Sequence, residues 1–263
     1  MIEDYIDNTW NVWDGNDFIG VYEAIISNDK VYSKSGVTPT VSQSWTTFTA
    51  DARARYSNNN YRLVTYEAHR MMALLGYGWL GTTNSQSIVG VGTSSYPKTT
   101  GLCNSKGMTD SSASVDGNST SINFWGLENW WGDISEWIDN LKTAGGTAIN
   151  VNVLGADRST VSRKVSTGFS GGANETKKMV LGTNCDLIPK LTAANSSYNR
   201  AYSDYGNVNS GSGYVAYRSG ATTYLSGGLG CLYVNYGAGS VIAALGSRLL
   251  YKGDYTVVNT FNE

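Results

Sequence analysis

Three acidic residues in one tryptophan-rich stretch are the first candidates for chemistry. Glu128 with Glu136 or Asp139 has the residue types of a glycosidase, in which two carboxyl groups flank the bond that is cut. A structural interpretation competes with this one and is the stronger of the two. Asp133 followed by Glu136 is typical of a helix start, Asp139 would be solvated, and the tryptophans would fill the core.

The chain offers few residues for other kinds of catalysis. His69 is its one histidine, which excludes zinc sites built from several histidines and makes any Ser-His-Asp or Cys-His arrangement depend on it. His69 lies in a predicted helix, where a core or boundary position is favoured. Cys103, Cys185 and Cys231 form no CxxC pair, and their odd number argues against a disulfide framework.

Oxygen ligands for a cation occur in a polar loop. Asp110, Asp116 and Asn118 could hold Ca²⁺, but their spacing matches no calcium loop and ordinary turn chemistry is favoured. No cofactor is therefore predicted, and a structural calcium ion stays open as the alternative.

The composition points to a folded binding protein. Charged residues make up 15% of the 263 residues, against about 25% in an average soluble domain, while aromatic residues reach 12% with 18 tyrosines. This excludes a disordered tail, and the formal net charge of −2 argues against a nucleic-acid partner. An excess of Tyr, Gly, Ser and Asn with few charges is typical of an adaptable binding surface.

Targeting signals are not visible in the sequence. The opening MIEDYIDNTW has neither a basic nor an apolar region of a secretory signal, and no stretch approaches the roughly 18 apolar residues of a membrane span. We expect a soluble protein that is made in a cytoplasm and does not insert into membranes.

The hydrophobic pattern predicts helices first and strands later. Helices are expected at residues 49–58, in RLVTYEAHRMMALLGYG with Gly76 as its stop, and from Asp133, where Ile134, Trp137, Ile138 and Leu141 would share one face. After about residue 145, short strands alternate with Gly/Ser/Asn turns. The order indicates an α+β fold, with two or three helices packed on irregular antiparallel sheets. Residues 1–45 could be a short helix or an attachment strand, and residues 46–263 form the predicted ligand-binding domain.

Three blocks of the sequence resemble one protein family. WGLENWWGDISEWID is similar to the GLEN-x-WGN-x-WEW-x-D signature of phage and prophage proteins with the C-type lectin fold, the fold of formylglycine-generating enzyme. YEAHRMMALLGYGWLGTTNSQSIVGVGT resembles an EAH…TNSQ…G-x-GT block of such proteins from gut Bacteroidales and their phages. RSGATTYLSGGLGCLYVNYGAGSVIAALGSRLLYKG resembles their variable repeat, and the three blocks come in the family's order.

The resemblance implies a variable region at about residues 198–253, rewritten by a diversity-generating retroelement. In this mechanism a reverse transcriptase copies a template repeat and errs at adenines, so that Asn codons become codons for many residues. Carried over position by position, the template's asparagines fall on Ala221, Thr222, Tyr224, Ser226, Tyr233, Asn235, Tyr236, Ser240, Ile242 and Ala244.

The residues themselves point to the same positions. Tyr233 with Asn235, and Ser240 with Ile242 and Ala244, are two apart, and alternate residues of an extended chain share one face. Leu232 and Val234 would then point into the core. Tyr202, Tyr205 and Asn207 are expected to extend the exposed patch, on which tyrosine is a natural binding residue.

The resemblance implies a receptor-binding protein of a phage or prophage, either a tail-fibre tip or a surface adhesin. Its expected partners are a glycan or protein of a bacterial surface and a fibre shaft or other virion protein, and avidity favours a homotrimer. Its expected location is the virion. The Ca²⁺-lectin triplets EPN, QPD and WND are absent, so calcium-dependent sugar binding is not predicted. The alternatives are a structural virion protein, such as a capsid decoration or fibre adaptor, and an oxidase of the formylglycine-generating type.

Overall fold

The computed structural model describes residues 10–12, 17–56, 60–92, 97–107, 109–111, 121–145, 150–155, 157–169, 174–193, 202, 204–218 and 227–253. Three helices lie in the first third of the chain: α1 (Trp45–Arg53), α2 (Tyr66–Leu80) and α3 (Ser85–Val89). The strands are, in chain order, β1 (Trp10–Val12), β2 (Asp17–Gly20), β3 (Ala24–Ser27), β4 (Lys30–Ser33), β5 (Tyr61–Leu63), β6 (Thr109–Ser111), β7 (Ile122–Phe124), β8 (Leu127–Glu128), β9 (Ser135–Ala144), β10 (Asn150–Leu154), β11 (Val161–Ser166), β12 (Asn174–Val180), β13 (Ile188–Ala193), β14 (Tyr205–Val208), β15 (Ser212–Arg218), β16 (Leu232–Gly237), β17 (Leu245–Ser247) and β18 (Leu249–Lys252).

Most of the strands belong to one large sheet. Its nine strands have the order β11-β10-β9-β15-β16-β14-β12-β13, and β17 also pairs with β9. A four-stranded sheet has the order β1-β2-β18-β5, and smaller sheets join β3 with β4 and β6 with β7 and β8. Pairing is antiparallel except for β14 with β16 and β17 with β9. The predicted α+β class with irregular, mainly antiparallel sheets is confirmed.

The described part of the first 45 residues forms strands that belong to these sheets. β2 pairs with β18 near the other end of the described chain, with Ile19 opposite Leu250. Docking of residues 1–45 onto a shaft stays a prediction, as does the division of the chain at residue 45.

The first two helices begin at polar N-caps, and α2 runs further than expected. The side chain of Ser44 accepts from Thr47 N and starts α1, while Thr65 accepts from Ala68 N and starts α2. The predicted stop at Gly76 is wrong, because α2 continues to Gly81, which ends it in the left-handed conformation. Gly76 is instead needed for close packing, since a Cβ there would lie 2.5 Å from a methyl group of Leu229.

The helix predicted from Asp133 is also wrong. Residues 135–144 form β9, which lies in the middle of the large sheet between β10 and β15. A central strand is covered on both faces, so its apolar residues need not alternate, and Trp137, Ile138 and Leu141 are all buried. The four apolar residues from Ile134 to Leu141 do have helical spacing, but Glu136, Asp139 and Asn140 between them are buried too, so the pattern does not mark a helix with one exposed side.

The core consists of three clusters of buried side chains. The first joins α1 to the middle of the large sheet through Trp45, Phe48, Trp137 and Tyr217. The second packs α2 against the tryptophan-rich stretch, and the third fills the other face of the large sheet. Trp130, Trp131 and Trp137 are at most 1% exposed, so their predicted place in the core is confirmed. Among the described residues, no helix is long and apolar enough to cross a membrane.

Replacing Trp137 with alanine tests this architecture. Because the indole is fully buried, the cavity should lower the free energy of unfolding by about 3–5 kcal/mol, measured by urea denaturation. Val161→Ala is the control, since Val161 is 49% exposed and should change stability by less than about 0.5 kcal/mol. Near-wild-type stability of the Trp137 variant would contradict the central position of β9.

Candidate ligand-binding face

A row of aromatic rings crosses three neighbouring strands of the large sheet. Tyr217 on β15 lies opposite Trp137 on β9 and opposite Tyr233 on β16. The ring of Tyr217 stacks on that of Tyr233, with 5.0 Å between centroids and 3° between planes, and on that of Tyr236 at 5.5 Å. Tyr217 is buried, whereas Tyr233 and Tyr236 are half-buried. The buried ring of Tyr217 thus supports the half-buried rings of Tyr233 and Tyr236.

An extra residue in β16 brings these two tyrosines together. Val215 pairs with Tyr236 and Ala216 pairs with Val234, so Asn235 is a bulge residue without a partner of its own in β15. Strict alternation predicts that Tyr233 and Asn235 share one face of the strand and that Tyr236 points to the other. The bulge adds Tyr236 to the face of Tyr233, because the residues opposite them, Tyr217 and Val215, are two apart. Leu232 and Val234 are buried, as alternation requires.

The patch continues onto β14. Asn207 lies beside Tyr233 in the parallel pair of β14 and β16, and Tyr205 is two residues before it on the same strand. The five predicted residues on β14 and β16 are all half-buried. We use the term tyrosine face for Tyr205, Asn207, Tyr233, Asn235 and Tyr236.

The phenol groups at the centre of the patch stay protonated. Burial raises the pKa of Tyr233 far above its usual range, and the nearby Cys231 thiol raises it further. Burial also raises the pKa of Tyr217, and a hydrogen bond with the Asn235 side chain opposes the shift in part. Around neutral pH the two phenols are therefore uncharged hydrogen-bonding groups.

The loop that follows β16 differs from the prediction. Ser240, Ile242 and Ala244 were expected to share the exposed side of an extended chain, but they are half-buried, and Ile242 packs against the first core cluster. The exposed residues of this loop are Gly239, Val241 and Ala243. Two turns cause the difference, closed by hydrogen bonds from Ser240 N to Gly237 O and from Leu245 N to Ile242 O.

The same loop is fixed to its surroundings at both ends. The backbone N–H and the hydroxyl of Thr46 on α1 both donate to Ala238 O, each at 3.1 Å. Ser135 N donates to Ala244 O at 2.9 Å. Residues 238–244 therefore have a defined position beside Tyr236.

One predicted residue, Tyr202, lies beside the C-terminal half of α2. The ring of Tyr202 packs 6.0 Å from that of Tyr77, whose hydroxyl donates to Asp204 Oδ2 at 3.0 Å. The same carboxylate oxygen accepts from Gly230 N at 2.9 Å, and Ser85 Oγ accepts from Leu229 N. Asp204 thus anchors the segment that leads into β16. The other predicted residues, Ala221, Thr222, Tyr224 and Ser226, lie outside the described residues.

Glu136 is the centre of a buried ion cluster. Its carboxylate contacts the guanidinium of Arg218 and lies 2.9 Å from Arg248 Nη2, and all three side chains are at most 1% exposed. Arg218 also stacks 3.4 Å from the ring centroid of Trp130 and donates to its carbonyl. Arg248 donates to several backbone carbonyls, including Glu128 O at 2.7 Å. The predicted capping role of Glu136 is wrong, because it has no helix to cap.

The other two acidic residues are also buried. Glu128 accepts from Gly101 N at 2.8 Å and Cys103 N at 2.7 Å. Asp139 was expected in solvent but is 2% exposed, 3.6 Å from Arg158 Nη1, in the wall of a cavity of about 200 Å³. Burial raises its pKa and the charge of Arg158 lowers it in part. The contacts of Glu128 and Glu136 are structural, and this favours the structural interpretation over the glycosidase.

His69 and Cys231 are buried, whereas Cys185 is exposed. His69 is a core residue, and burial together with the charge of Arg218 lowers its pKa to about 3. Cys231 is buried, which raises the pKa of its thiol, and none of the three cysteines forms a disulfide. Across the described part of the chain, no three His, Cys, Asp or Glu side chains are grouped to hold a metal ion. Asp116 and Asn118 of the suggested calcium ligands lie outside it.

Sequence reasoning missed Tyr217 and the partners of Glu136. Tyr217 stands in the run GYVAYRS, whose pattern predicts a strand and gives no sign of the residue across the sheet. Arg218 and Arg248 stand near the two ends of the repeat-like block, and their position there was the available signal.

Comparisons with known proteins found similarity among solved structures alone. No family model matches the chain, and no curated protein matches it significantly. It is similar to two solved structures, a Major Tropism Determinant I1 variant, 14% identical with a TM-score of 0.45, and a Major Tropism Determinant P3c variant, 13% identical with a TM-score of 0.40. Each alignment covers 93% of this chain and 52% of the other, so the chain spans about half the length of these structures.

Removing the charge of Glu136 tests the ion cluster. Glu136→Gln leaves two buried guanidinium groups without their carboxylate, so the free energy of unfolding should fall by about 3–5 kcal/mol in urea denaturation. The exposed Lys164→Gln is the matched control and should change stability little. Equal stability of the two variants would show that the cluster is dispensable.

The buried carboxyl of Asp204 predicts a pH effect. Burial raises its pKa to about 7, against about 3.9 in an unfolded chain, so its stabilising contribution is complete below pH 4 and is lost as the pH rises through 7. Asp204→Asn keeps an acceptor oxygen but cannot ionise. The melting temperature of this variant minus that of the wild type should therefore rise between pH 4 and 8. A pH-independent difference would contradict the raised pKa.

Proposed function

We propose that this chain is a receptor-binding protein of a phage or prophage, a tail-fibre tip or surface adhesin without enzymatic activity. Its binding surface is the tyrosine face, and its receptor is a glycan or protein on a bacterial cell. The proposal rests on the sequence resemblance together with the arrangement of the tyrosines. The wider assignment of residues 46–263 to one ligand-binding domain with the C-type lectin fold belongs to the same proposal.

The observation that supports binding most strongly is the stack of Tyr233 and Tyr236 on Tyr217. The half-buried rings of Tyr233 and Tyr236 are already held in place by the buried ring of Tyr217, at 5.0 and 5.5 Å, so little side-chain freedom remains to be lost when a ligand binds. A tyrosine also offers an apolar ring and a polar hydroxyl to the same ligand. Rigid tyrosines beside asparagines are typical of recognition surfaces.

The chemistry of the patch favours an uncharged ligand surface. Its members are tyrosines and asparagines, and the phenols of Tyr217 and Tyr233 remain protonated around neutral pH. Hydroxyl and amide groups can match the hydroxyls of a glycan or the backbone of a protein, while the rings cover apolar faces.

We also propose that this surface is diversified. Tyr233, Asn235 and Tyr236 lie between Arg218 and Arg248, within the variable region inferred from the resemblance. Because both arginines are held by the Glu136 carboxylate, residue changes between them leave the anchors of the segment in place. Such a scaffold suits a retroelement that replaces many residues at once.

The proposed partners follow from the same account. A receptor-binding protein needs a fibre shaft or another virion protein to carry it, and repetition of weak sites favours a homotrimer. The proposed location is the virion, after synthesis in the bacterial cytoplasm. Nucleic acid is not a proposed partner.

A comparison of three variants tests the binding proposal. Fluorescently labelled wild type, Tyr236→Ala and Tyr236→Phe are measured against a panel of bacterial strains by flow cytometry and on an array of bacterial glycans. Wild type should bind some strains, and Tyr236→Ala should bind them at least 10-fold more weakly, because it loses an anchoring ring. Tyr236→Phe should lose less, since it keeps the stacked ring.

The controls separate binding from folding. Val161→Ala on β11 should bind like wild type, and all variants should keep cooperative melting. Unchanged binding by Tyr236→Ala would contradict the assignment of the tyrosine face. If the wild type binds no strain and no glycan, the structural virion protein becomes the better account.

A further inference from the structure

The outward side of α2 is apolar from Met71 to Trp79, whereas Glu67 and Arg70 nearer its N-terminus are charged and half-buried. Met71, Leu75 and Trp79 are 37%, 52% and 60% exposed, and their spacing of four residues places them in one stripe. The inward side of the same helix is already packed, with Ala68, Met72 and Ala73 in the second core cluster. Packing of the core therefore explains the apolar residues on the inward side of α2 but not those on its outward side.

The sequence segment that contains the stripe has no charged residue. From Met71 to Pro97 there is no Asp, Glu, Lys, Arg or His. A helix at the surface of a globular protein normally has charged residues on its outer side, and one that is apolar all round is normally buried. The outer side of α2 has the composition of a covered surface.

The stripe also has a shape that another helix could fit. Gly78 is exposed, and a Cβ built on it would meet nothing within 4 Å, so it leaves a notch beside the ring of Trp79. The other side of that ring is supported by Trp125, edge to face at 6.0 Å. The Trp79 ring of one copy could therefore fit into the space beside Gly78 of a second copy, and the reverse contact could form at the same time.

We propose that α2 packs against α2 of a second copy of this chain. An uncharged apolar stripe has no group that would pair with a charged partner. Two identical apolar stripes can cover each other, and interfaces between identical subunits are more apolar than the rest of the protein surface. Trp79 alone leaves about 150 Å² uncovered, and the three side chains together leave roughly 300 Å², the size of the largest apolar patch on a typical monomer, which is often functional. This is enough for the apolar centre of an interface that buries about 800 Å² on each partner.

The proposed interface leaves the tyrosine face free. Tyr233 and Tyr236 pack against the first core cluster, whereas α2 packs against the second. Copies joined through α2 can therefore present their tyrosine faces together, which increases avidity for a surface with repeated receptors.

Sedimentation equilibrium of the full chain tests the proposal without a ligand. Between about 1 and 100 μM, the range in which typical weak interfaces dissociate, wild type should change from 28.3 kDa to the mass of two or three copies. Leu75→Glu should stay at 28.3 kDa. At about 1 μM, where both proteins are monomeric, its melting temperature should match that of wild type, because the side chain is half exposed. Val161→Glu places the same charge on another exposed apolar residue and should assemble like wild type.

A cross-linking experiment shows which surface is used. In a Cys185→Ser background, which removes the exposed native thiol, Gly78→Cys should form a covalent dimer under mild oxidation and Val161→Cys should not. A wild type that is monomeric at 100 μM overturns the proposal. Assembly that survives Leu75→Glu, or equal cross-linking at both positions, overturns it as well.

Discussion

The buried contact of Glu136 with Arg218 and Arg248 is the interaction on which the rest of the structure depends. One arginine ends β15 and the other stands between β17 and β18, so a single carboxylate fixes both ends of the intervening segment. Burying three charges is costly unless each finds partners. Arg218 has the ring and carbonyl of Trp130 and Arg248 has backbone carbonyls, and this explains why the tryptophan-rich stretch surrounds the cluster.

This arrangement separates the residues that hold the fold from those that we propose meet a ligand. Within the fixed segment, Leu232 and Val234 face the core, while Tyr233 and Tyr236 lie on the opposite side over Tyr217. A substitution of Tyr233 or Tyr236 therefore disturbs the stacking between a few rings and leaves the ion cluster intact. A protein that must keep its fold while its binding residues change needs this separation.

The sequence allowed the fold class, the buried tryptophans and the presence of short strands after about residue 145 to be predicted, because these depend on local pattern. The strand β9 was missed because its apolar residues have helical spacing, while its pairing with β10 and β15 decides its structure and leaves no local pattern. The bulge at Asn235 and the turns around Ser240 break alternation and depend on strands across the sheet. The partners of Glu136 lie 82 and 112 residues away, so no local pattern could identify them.

Sequencing the DNA that flanks this gene tests most directly that the tyrosine face is a diversified binding surface. The account predicts a near-copy of the codons for residues 200–250 beside a reverse-transcriptase gene. The copy should have AAC or AAT where Tyr233 and Tyr236 are encoded and should match the gene at Leu232 and Val234. A copy whose differences fall equally on the buried positions, or flanking DNA without any copy, would contradict it.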